Sequence, residues 1–305
     1  MSPAAADQGE GADRDQRADR DQLAGRDQGA GRDQRAGDST GSNLPLGAAF
    51  RSGRRSRSGQ GRLLLGDPAD GASNMAIDAA ILECLEAGSA GQPTLRFYAW
   101  ETPTLSLGYF QTIRSRASHP DSLHAPLVRR ASGGGAIVHD RELTYSLTIP
   151  DTLALGAARD LYREVHDAFR GALRPWGIHP RRFAELETAA PAGEPFLCFQ
   201  RRTDDDLVLQ GYKVLGSAQR RGREGVLQHG SLLVAASVAA PQLPGIGDLI
   251  GHCPAIIDIR DAVIEKLADL VGVHWQAGEL SGAERAAARR IRETQFGCTD
   301  WTEKR

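Results

Sequence analysis

The chain has 305 residues, of which 40% are hydrophobic and 25% are charged, and its net charge is −2. This composition is typical of a globular protein with one large domain or two modest ones, and it gives no support to nucleic-acid binding. No apolar run approaches the roughly 20 residues that cross a bilayer, and the N-terminus lacks a secretion signal. We therefore expect a cytoplasmic protein without nucleic-acid or membrane partners.

The four cysteines indicate neither a zinc site nor a disulfide framework. They are Cys84, Cys198, Cys253 and Cys298, and none has the paired C-x-x-C spacing of zinc ligands. Because no export signal is present, free thiols are the better interpretation. We expect no metal and no cofactor.

Residues 1–62 form a tail of biased composition. Arg-Asp-Gln recurs at 14, 20, 26 and 32, and no aromatic residue precedes Phe50. Such a segment has too little apolar surface to bury, so we predict a disordered, solvated extension. A tether for nucleic acid or membrane is the less favoured alternative. The folded domain is predicted to span 63–305.

From Leu63 onward, hydrophobic periodicity predicts a mixture of helices and strands. Helices are predicted at 73–88, 115–123, 157–173, 259–271 and 283–296, with Pro175 ending the third. Strands are predicted at 94–100, 104–107, 127–128, 136–138, 142–149, 207–209, 213–217 and 225–234. The first two strands are expected to pair across a turn at Pro103. This order indicates an α+β fold, with a mostly antiparallel sheet and helices on its faces.

Three consecutive glycines, Gly133, Gly134 and Gly135, lie between two extended segments. Glycine loses the most backbone freedom on ordering, so this run suits a sharp turn better than a helix or strand interior. Exposed N–H groups in such a turn can hold a phosphate, a carboxylate or a developing oxyanion. A plain flexible turn is the alternative. Polar residues at the same end, among them Arg130 and His139, favour a site.

Two further stretches supply partners for this loop: Gly211-Tyr-Lys-Val-Leu-Gly-Ser-Ala-Gln219 and Val226-Leu-Gln-His-Gly-Ser-Leu-Leu233. Together with Arg129-Arg-Ala-Ser-Gly-Gly-Gly-Ala136, they resemble motifs of the lipoate-protein ligase and octanoyltransferase superfamily. Asn74-Met-Ala-Ile-Asp78 and Leu105-Ser-Leu-Gly-Tyr-Phe-Gln111 resemble its upstream motifs, in the same order. The resemblance covers 63–305, including the ending from Thr299, and implies the fold of biotin- and lipoate-protein ligases.

Cys198 and Lys213 are the candidate catalytic residues. An arbitrary cysteine is best interpreted as a small buried hydrophobic residue. Lys213 follows Cys198 by fifteen residues and could approach it after one hairpin, where a cation favours the thiolate. The chain has only three lysines, and a lysine kept inside a strand suits proton transfer better than arginine does. Cys-Phe followed at this distance by lysine also resembles the cysteine-dependent, LipM-type octanoyltransferases.

The remaining cysteines, Cys84, Cys253 and Cys298, are interpreted as structural, and Lys266 and Lys304 as ordinary surface lysines.

The resemblance implies an acyl pocket lined by residues of the three central motifs. Taken singly, His139 and His229 would be interpreted as core or loop histidines, and Arg130 could hold a strand end or bind an acidic partner. The implied substrate-binding set is Arg130, Ser132, Gly133, Gly134, Gly135, His139, Gly216, Ser217, Ala218, His229 and Gly230.

The resemblance also implies that 63–305 is an octanoyltransferase domain of lipoate biosynthesis. Octanoyl would pass from acyl carrier protein to Cys198 as a thioester, and then to a lysine of a lipoyl domain such as the glycine-cleavage H protein. Lys213 would transfer protons, and backbone amides near the cysteine or the glycine loop would stabilise the oxyanion.

Three alternatives stay open on the sequence alone. An ATP-dependent lipoate-protein ligase shares the glycine and lysine motifs, and the glycine triplet is closer to the ligase form. A related amidotransferase would move octanoyl between lipoyl domains. Outside the enzymes, a silent acyl- or lipoyl-domain-binding homologue would have no reason to keep both Cys198 and Lys213.

Overall fold

The computed structural model describes residues 57–88, 91–153, 158–189 and 193–305. The expected tail lies almost entirely outside these residues, and so do its Arg-Asp-Gln repeats. The described structure begins before the expected boundary at residue 62, because the first strand starts at Gly59. This strand pairs with residues 273–277 from the far end of the chain, and no local sequence pattern indicates so distant a partner.

The described residues contain eleven strands. They are β1 (Gly59–Leu65), β2 (Thr94–Tyr98), β3 (Thr104–Leu107), β4 (Leu127–Arg129), β5 (Ile137–His139), β6 (Glu142–Pro150), β7 (Arg181–Arg182), β8 (Leu207–Leu209), β9 (Tyr212–Arg221), β10 (Gly225–Leu233) and β11 (Val273–Ala277).

Eight of these strands form the larger sheet. Their order is β11-β1-β2-β6-β10-β9-β8-β7, with parallel pairing along β11-β1-β2 and antiparallel pairing elsewhere. The sheet is therefore mostly antiparallel, as expected. The sequence analysis missed β1 and β11, which add the parallel edge, and the short β7 at the opposite edge.

The other three strands form a smaller sheet in which β3 lies between β4 and β5. The expected pairing of β2 with β3 is wrong, because β2 pairs with β1 and β6 in the larger sheet. The segment around Pro103 carries the chain from one sheet to the other and does not close a hairpin.

Six α-helices accompany the strands within the described ranges. They are α1 (Gly71–Glu86), α2 (Ala158–Leu173), α3 (Ile246–Ile250), α4 (Ile256–Val271), α5 (Gly282–Ile291) and α6 (Thr299–Thr302), and a π-helical segment (Arg292–Phe296) follows α5. The helix expected at 115–123 is instead a pair of short 3₁₀ turns. None of the helices that the structure describes is long and apolar enough to cross a bilayer.

Two helical layers cover opposite faces of the larger sheet. Because side chains alternate along a strand, Leu95 of β2 faces one layer while Tyr98 faces the other. The layer of α2 and α4 buries Leu161, Val165, Phe169, Ile259, Val263 and Leu267 against the sheet. The layer of α1 and α5 buries Met75, Ala76, Ala80, Ala287 and Ile291. The molecule is thus α+β, as predicted.

A third apolar cluster lies against the smaller sheet. It joins β3 and β5 to the segment that contains Cys198 and to the chain after β10. Its fully buried members include Leu105, Leu107, Ala136 and Leu197. This cluster fixes the smaller sheet, and with it the glycine loop, beside the larger one.

A buried ion pair ties α5 to β1. Arg62 Nη1 donates to Glu284 Oε2 at 2.7 Å, and Glu284 is fully buried. Burial alone would raise the pKa of Glu284, but hydrogen bonds from Arg62 and from the Ser281 backbone hold that pKa below its usual value. Removing either partner would leave the other charge unpaired in the interior.

We expect Glu284→Ala to lower the free energy of unfolding by about 3–5 kcal/mol, because it strands the Arg62 charge. A carboxylate whose folded-state pKa is depressed stabilises the fold above its unfolded pKa, and this contribution is lost as pH falls through the folded-state value. Wild type should therefore lose stability in mild acid more steeply than the variant. Urea unfolding of both proteins across this pH range measures the effect.

The matched control is Arg159→Ala, which breaks the exposed Arg159–Asp204 pair on the surface. Exposed pairs are screened by water, so this control should leave stability nearly unchanged. An equal loss of unfolding free energy in Glu284→Ala and Arg159→Ala would contradict the stabilising role of the buried Arg62–Glu284 pair.

Candidate active site

A cavity of about 270 Å³ opens between the two sheets and the start of α1. It is bounded by the glycine loop on one side and by β9 and β10 on the other. The lining residues are Met75, Tyr98, Arg130, Gly133, Gly134, Ile137, His139, Thr144, Cys198, Phe199, Gly216, Ser217, Ala218, Gln219, His229, Gly230 and Ser231.

Arg130 holds the glycine loop from the inside. The side chain is 2% exposed, and its Nη2 donates to the carbonyls of Gly133 at 3.1 Å and Gly135 at 2.8 Å. Gly134 adopts φ +95°, a conformation that favours glycine, and its carbonyl lies against Gly108, where a side chain would clash. Arg130 therefore shapes the loop that forms the pocket wall.

Cys198 is attached to the residue that follows the glycine loop. The Cys198 backbone N–H donates to the Ala136 carbonyl at 2.7 Å, and Ala136 N–H donates to the Phe196 carbonyl at 2.9 Å. A Cβ atom on Gly135 would lie 2.8 Å from the Cys198 nitrogen, so only glycine allows this approach. The half-buried thiol is consequently aimed at the pocket from the smaller sheet.

Lys213 reaches the same point from β9 of the larger sheet. Its Nζ lies 3.8 Å from Cys198 Sγ and 2.8 Å from Asp206 Oδ2, and the lysine is 4% exposed. Burial alone would lower the pKa of Lys213, but the negative charges of Cys198 and Asp206 outweigh burial and raise that pKa. The structure thus brings the expected cysteine and lysine together, with the lysine as an ammonium at neutral pH.

Gly216 leaves the space into which Lys213 folds. A Cβ atom at this position would lie 2.3 Å from Lys213 Cε and 2.8 Å from its Nζ. These atoms are the far end of a flexible chain, so the lysine can move away without disturbing the backbone. An alanine at Gly216 therefore displaces the ammonium at little structural cost.

We expect Gly216→Ala to reduce catalysis by about 10²-fold, because a displacement of roughly 1 Å at a reacting group has this order of effect. Thermal stability should change little. The catalytic rate and the melting temperature of the same sample measure the two effects. Gly282→Ala is the control, since nothing lies within 4 Å of a Cβ there. Wild-type activity in Gly216→Ala would show that catalysis does not depend on the position of the Lys213 ammonium beside Gly216.

His139 is fixed on three sides in the pocket wall. Its Nδ1 is 2.7 Å from Glu142 Oε1, its Nε2 is 2.7 Å from Ser106 Oγ, and its ring stacks on Trp100 with centroids 3.9 Å apart. Arg130 Nη1 donates to the same serine hydroxyl at 2.7 Å. One buried network therefore connects the histidine to the arginine that holds the glycine loop.

His229 joins the glycine loop to β10. Its Nε2 lies 2.7 Å from Ser132 Oγ, across the gap between the two sheets. Burial lowers the pKa of His229 to about 4, so the imidazole is neutral at neutral pH. The residue supplies a polar, uncharged wall to the pocket.

Most of the expected substrate-binding set does line the cavity, and two members do not. Ser132 and Gly135 lie behind the wall, where they support His229 and Cys198 respectively. Sequence reasoning missed Asp206, which lies in a run of three aspartates that resembles a solvated loop. It also missed the apolar and polar lining residues Met75, Tyr98, Ile137, Thr144, Phe199, Gln219 and Ser231.

Arg129 has a structural role away from the cavity. It is fully buried, and it donates to the carbonyls of Thr302 at 2.9 Å and Gln111 at 2.6 Å. It therefore anchors the last turn of the chain. Lys304 of this turn lies over the Trp301 and Tyr109 rings, at 3.2 and 3.6 Å from their centroids, and is not an ordinary surface lysine.

The four cysteines are all free thiols, as expected. Cys84 is buried in α1, whereas Cys253 is exposed, so the expected structural role does not fit the latter. Within the described ranges, no group of three or more His, Cys, Asp or Glu residues could hold a metal ion.

The model of the family "Lipoyl protein ligase A/B catalytic domain" matches residues 70–269, which contain the glycine loop, Cys198 and Lys213. The chain belongs to this family. An octanoyltransferase LipM from Kyrpidia tusciae is 31% identical over 261 residues, which cover 75% of this chain and 94% of that relative.

Solved structures of the lipoyl protein ligase family share the fold. A crystal structure of lipoate-protein ligase A bound with ATP has a TM-score of 0.66 at 22% identity, and the match covers 80% of this chain and 98% of that one. A bipartite lipoate protein ligase from Thermoplasma acidophilum, analysed with its E2 lipoyl domain, has a TM-score of 0.62 at 20% identity, covering 80% and 96%. These neighbours confirm the predicted biotin- and lipoate-ligase-like fold.

Proposed function

We propose that this enzyme is an octanoyl-[acyl carrier protein]:protein N-octanoyltransferase of lipoate biosynthesis, with Cys198 as its covalent nucleophile. The observation that carries the proposal is the 3.8 Å approach of Lys213 Nζ to Cys198 Sγ at the wall of the pocket. The octanoyltransferase LipM relatives support the same activity.

The first half-reaction loads the enzyme. The Cys198 sulfur attacks the carbonyl carbon of the octanoyl thioester, and a new C–S bond forms while the bond to the carrier sulfur breaks. The leaving carrier thiolate takes a proton from the Lys213 ammonium, whose Nζ lies 3.8 Å from Cys198 Sγ. One thioester replaces another, so the acyl group stays activated without ATP.

The second half-reaction unloads it. The amine of an acceptor lysine attacks the acyl carbon, a C–N bond forms, and the bond to Cys198 breaks. Lys213, now a neutral amine, takes the proton that the acceptor nitrogen loses, and Cys198 leaves as a thiolate. The dyad returns to its starting charges, and formation of the amide makes the step downhill.

The glycine loop is the source of the oxyanion donors in this proposal. The Cys198 N–H already donates to Ala136, so it is not available for the oxyanion. Within the described residues, the N–H groups of Gly133 and Gly134 have no protein acceptor, and a Cβ built on Gly134 lies 4.0 Å from Cys198 Sγ. Amides so placed stabilise negative charge that develops beside the sulfur.

The cavity supports a short acyl chain as the transferred group. At about 270 Å³ it falls below the roughly 300–1,000 Å³ of pockets for drug-sized ligands. Met75, Ile137 and Phe199 give it apolar surface, and each buried methylene contributes about 0.8 kcal/mol. A chain that fills the cavity is therefore favoured over shorter ones.

The partners and the location are part of the proposal. The acyl donor is octanoyl-acyl carrier protein, and the acceptor is a lipoyl domain such as the glycine-cleavage H protein. The lipoyl domain studied with the Thermoplasma acidophilum ligase supports this class of acceptor. We propose a cytoplasmic location, where both partners would be met.

Intact-mass spectrometry of the purified protein with octanoyl-acyl carrier protein, in the absence of ATP, tests the proposal. We expect one octanoyl increment, located on the Cys198 peptide and removed by hydroxylamine as a thioester would be. Addition of apo H protein should transfer the increment to its lysine. Transfer that requires ATP and free octanoate would identify a ligase, and transfer from an octanoylated lipoyl domain alone would identify an amidotransferase.

A further inference from the structure

Asp206 is the carboxylate that pairs with the Lys213 ammonium. It is fully buried and stands just before β8, in the run Asp204-Asp205-Asp206. Its Oδ2 accepts from Lys213 Nζ at 2.8 Å and from the Thr203 N–H at 2.7 Å. Its Oδ1 accepts from the Tyr162 hydroxyl at 2.8 Å. Both carboxylate oxygens are thus held by donors other than Lys213.

Tyr162 is fixed in turn. Its hydroxyl oxygen accepts from the Ser217 N–H of β9 at 3.0 Å. Burial, followed by the charge of Asp206, raises the pKa of Tyr162 well above its usual value, so the hydroxyl remains a neutral donor. Asp206 is therefore held between helix α2 and β9, the strand that carries Lys213.

We propose that Asp206 is a positioning residue that fixes the Lys213 side chain against the Cys198 sulfur and keeps it protonated. The arrangement is an aspartate–lysine–cysteine relay, in which the carboxylate never touches the acyl group. This inference rests on the proposed function for its kinetic meaning, but the placement of the lysine and its charge can be measured without any substrate.

The physical reason is the balance of charge around a buried amine. Lys213 is 4% exposed, and burial disfavours its ammonium. The carboxylate at 2.8 Å compensates, and the geometry directs the remaining N–H groups toward the sulfur. The titratable and charged groups that face Lys213 are Cys198 and Arg202 from the neighbouring loop, Asp206 before β8, and Tyr162 and His166 from α2.

Asp206→Asn tests the proposal, since asparagine keeps the shape and one acceptor oxygen but removes the charge. We expect the first half-reaction to slow by about 10²-fold with an unchanged KM for octanoyl-acyl carrier protein. The alkaline limb of its pH profile should move to lower pH, because only the Cys198 charge then opposes the effect of burial on the Lys213 pKa. Tyr162→Phe, which keeps the carboxylate charge but frees Oδ1, should slow the reaction without moving that limb.

A second readout needs no substrate. The chain has three lysines, so ¹³C-lysine NMR gives three resolvable side-chain signals to titrate with pH. In wild type the Lys213 midpoint should lie above the usual value for lysine, and in Asp206→Asn it should fall. Asp205→Asn is the matched control, because Asp205 pairs with Arg159 at 3.5 Å and not with Lys213.

The outcomes are distinguishable. A Lys213 midpoint and a pH limb that stay at their wild-type values in folded Asp206→Asn would overturn the proposal. A midpoint that falls in a protein that forms no octanoyl adduct would keep the role of Asp206 and reject the proposed function. If Asp206→Asn does not fold, a wild-type rate in Tyr162→Phe would overturn the positioning role, and a slower rate with an unmoved limb would support it.

Discussion

Cys198→Ala should abolish the octanoyl adduct and reduce ATP-independent octanoyl transfer by at least about 10³-fold. Removal of a covalent nucleophile costs this much or more in enzymes whose catalytic groups act as a unit. The backbone of residue 198 is already bonded to Ala136, so the local structure should survive the loss of the thiol. Stopped incubations analysed by intact mass give both the adduct and the rate.

Cys253→Ala is the control for this change, because Cys253 is exposed and distant in sequence from the site. It should form the adduct at the wild-type rate. Cys198→Ser should retain a slow reaction through an ester, because the hydroxyl is the weaker nucleophile and relies on an adjacent base. An adduct that persists in Cys198→Ala would place the acyl group on another residue and remove the proposed mechanism.

Lys213→Met should slow both half-reactions by about 10²–10⁴-fold, the range of a lost general acid–base catalyst. Methionine preserves much of the length and the apolar stem of lysine but has no proton to give or take. Lys213→Arg should be nearly as slow, because arginine stays charged and cannot exchange a proton with the reacting groups. Single-turnover rates of loading and unloading measure the two steps separately.

The lysine change also leaves the Asp206 carboxylate unpaired in the interior, so stability must be checked. The double variant Lys213→Met with Asp206→Asn removes both charges and should recover stability without recovering activity. Lys266→Met on the exposed surface of α4 is the control and should behave as wild type. Near-normal unloading by a stable Lys213→Met protein would show that another group accepts the proton.

The approach of Cys198 and Lys213 could be expected from the sequence because a single hairpin separates them, and hairpins are short-range structures. Most strand positions were accessible for the same reason, since alternation of polar and apolar residues along a strand such as β6 is a local pattern. Parallel pairing of β1 with β11 was not accessible, because more than 200 residues separate partners such as Gly59 and Val273. The β2–β3 error has the same origin: a turn signal at Pro103 does not state which sheet each strand joins.

Side-chain roles were harder to predict than positions. Arg130, predicted to bind substrate, lines the cavity, and its planar fork also donates to backbone carbonyls of the glycine loop, a role that the sequence did not indicate. The sequence did not distinguish Asp206 from the two aspartates before it. In the structure, Asp204 and Asp205 pair with Arg159, whereas Asp206 is fully buried. Only the three-dimensional path of the chain decides which carboxylate of such a run enters the interior.

The dyad is assembled across two sheets. Cys198 follows the smaller sheet through its bond to Ala136, and Lys213 belongs to the larger one. The Ser132–His229 contact spans the same gap. The distance between sulfur and nitrogen therefore depends on how the sheets pack, and changes in the apolar cluster beneath the smaller sheet should affect catalysis from a distance.

The scarcity of lysine has a consequence for the acyl thioester proposed at Cys198. Any accessible primary amine is a possible nucleophile for that bond, including those of the enzyme itself. Here Lys213 is buried, Lys304 lies over two aromatic rings, and Lys266 is the one further lysine in the sequence. Arginine supplies the remaining positive charge and does not form amides. Few lysine amines on the described surface, with Lys266 the exposed one, would therefore compete with the incoming acceptor for the proposed acyl group.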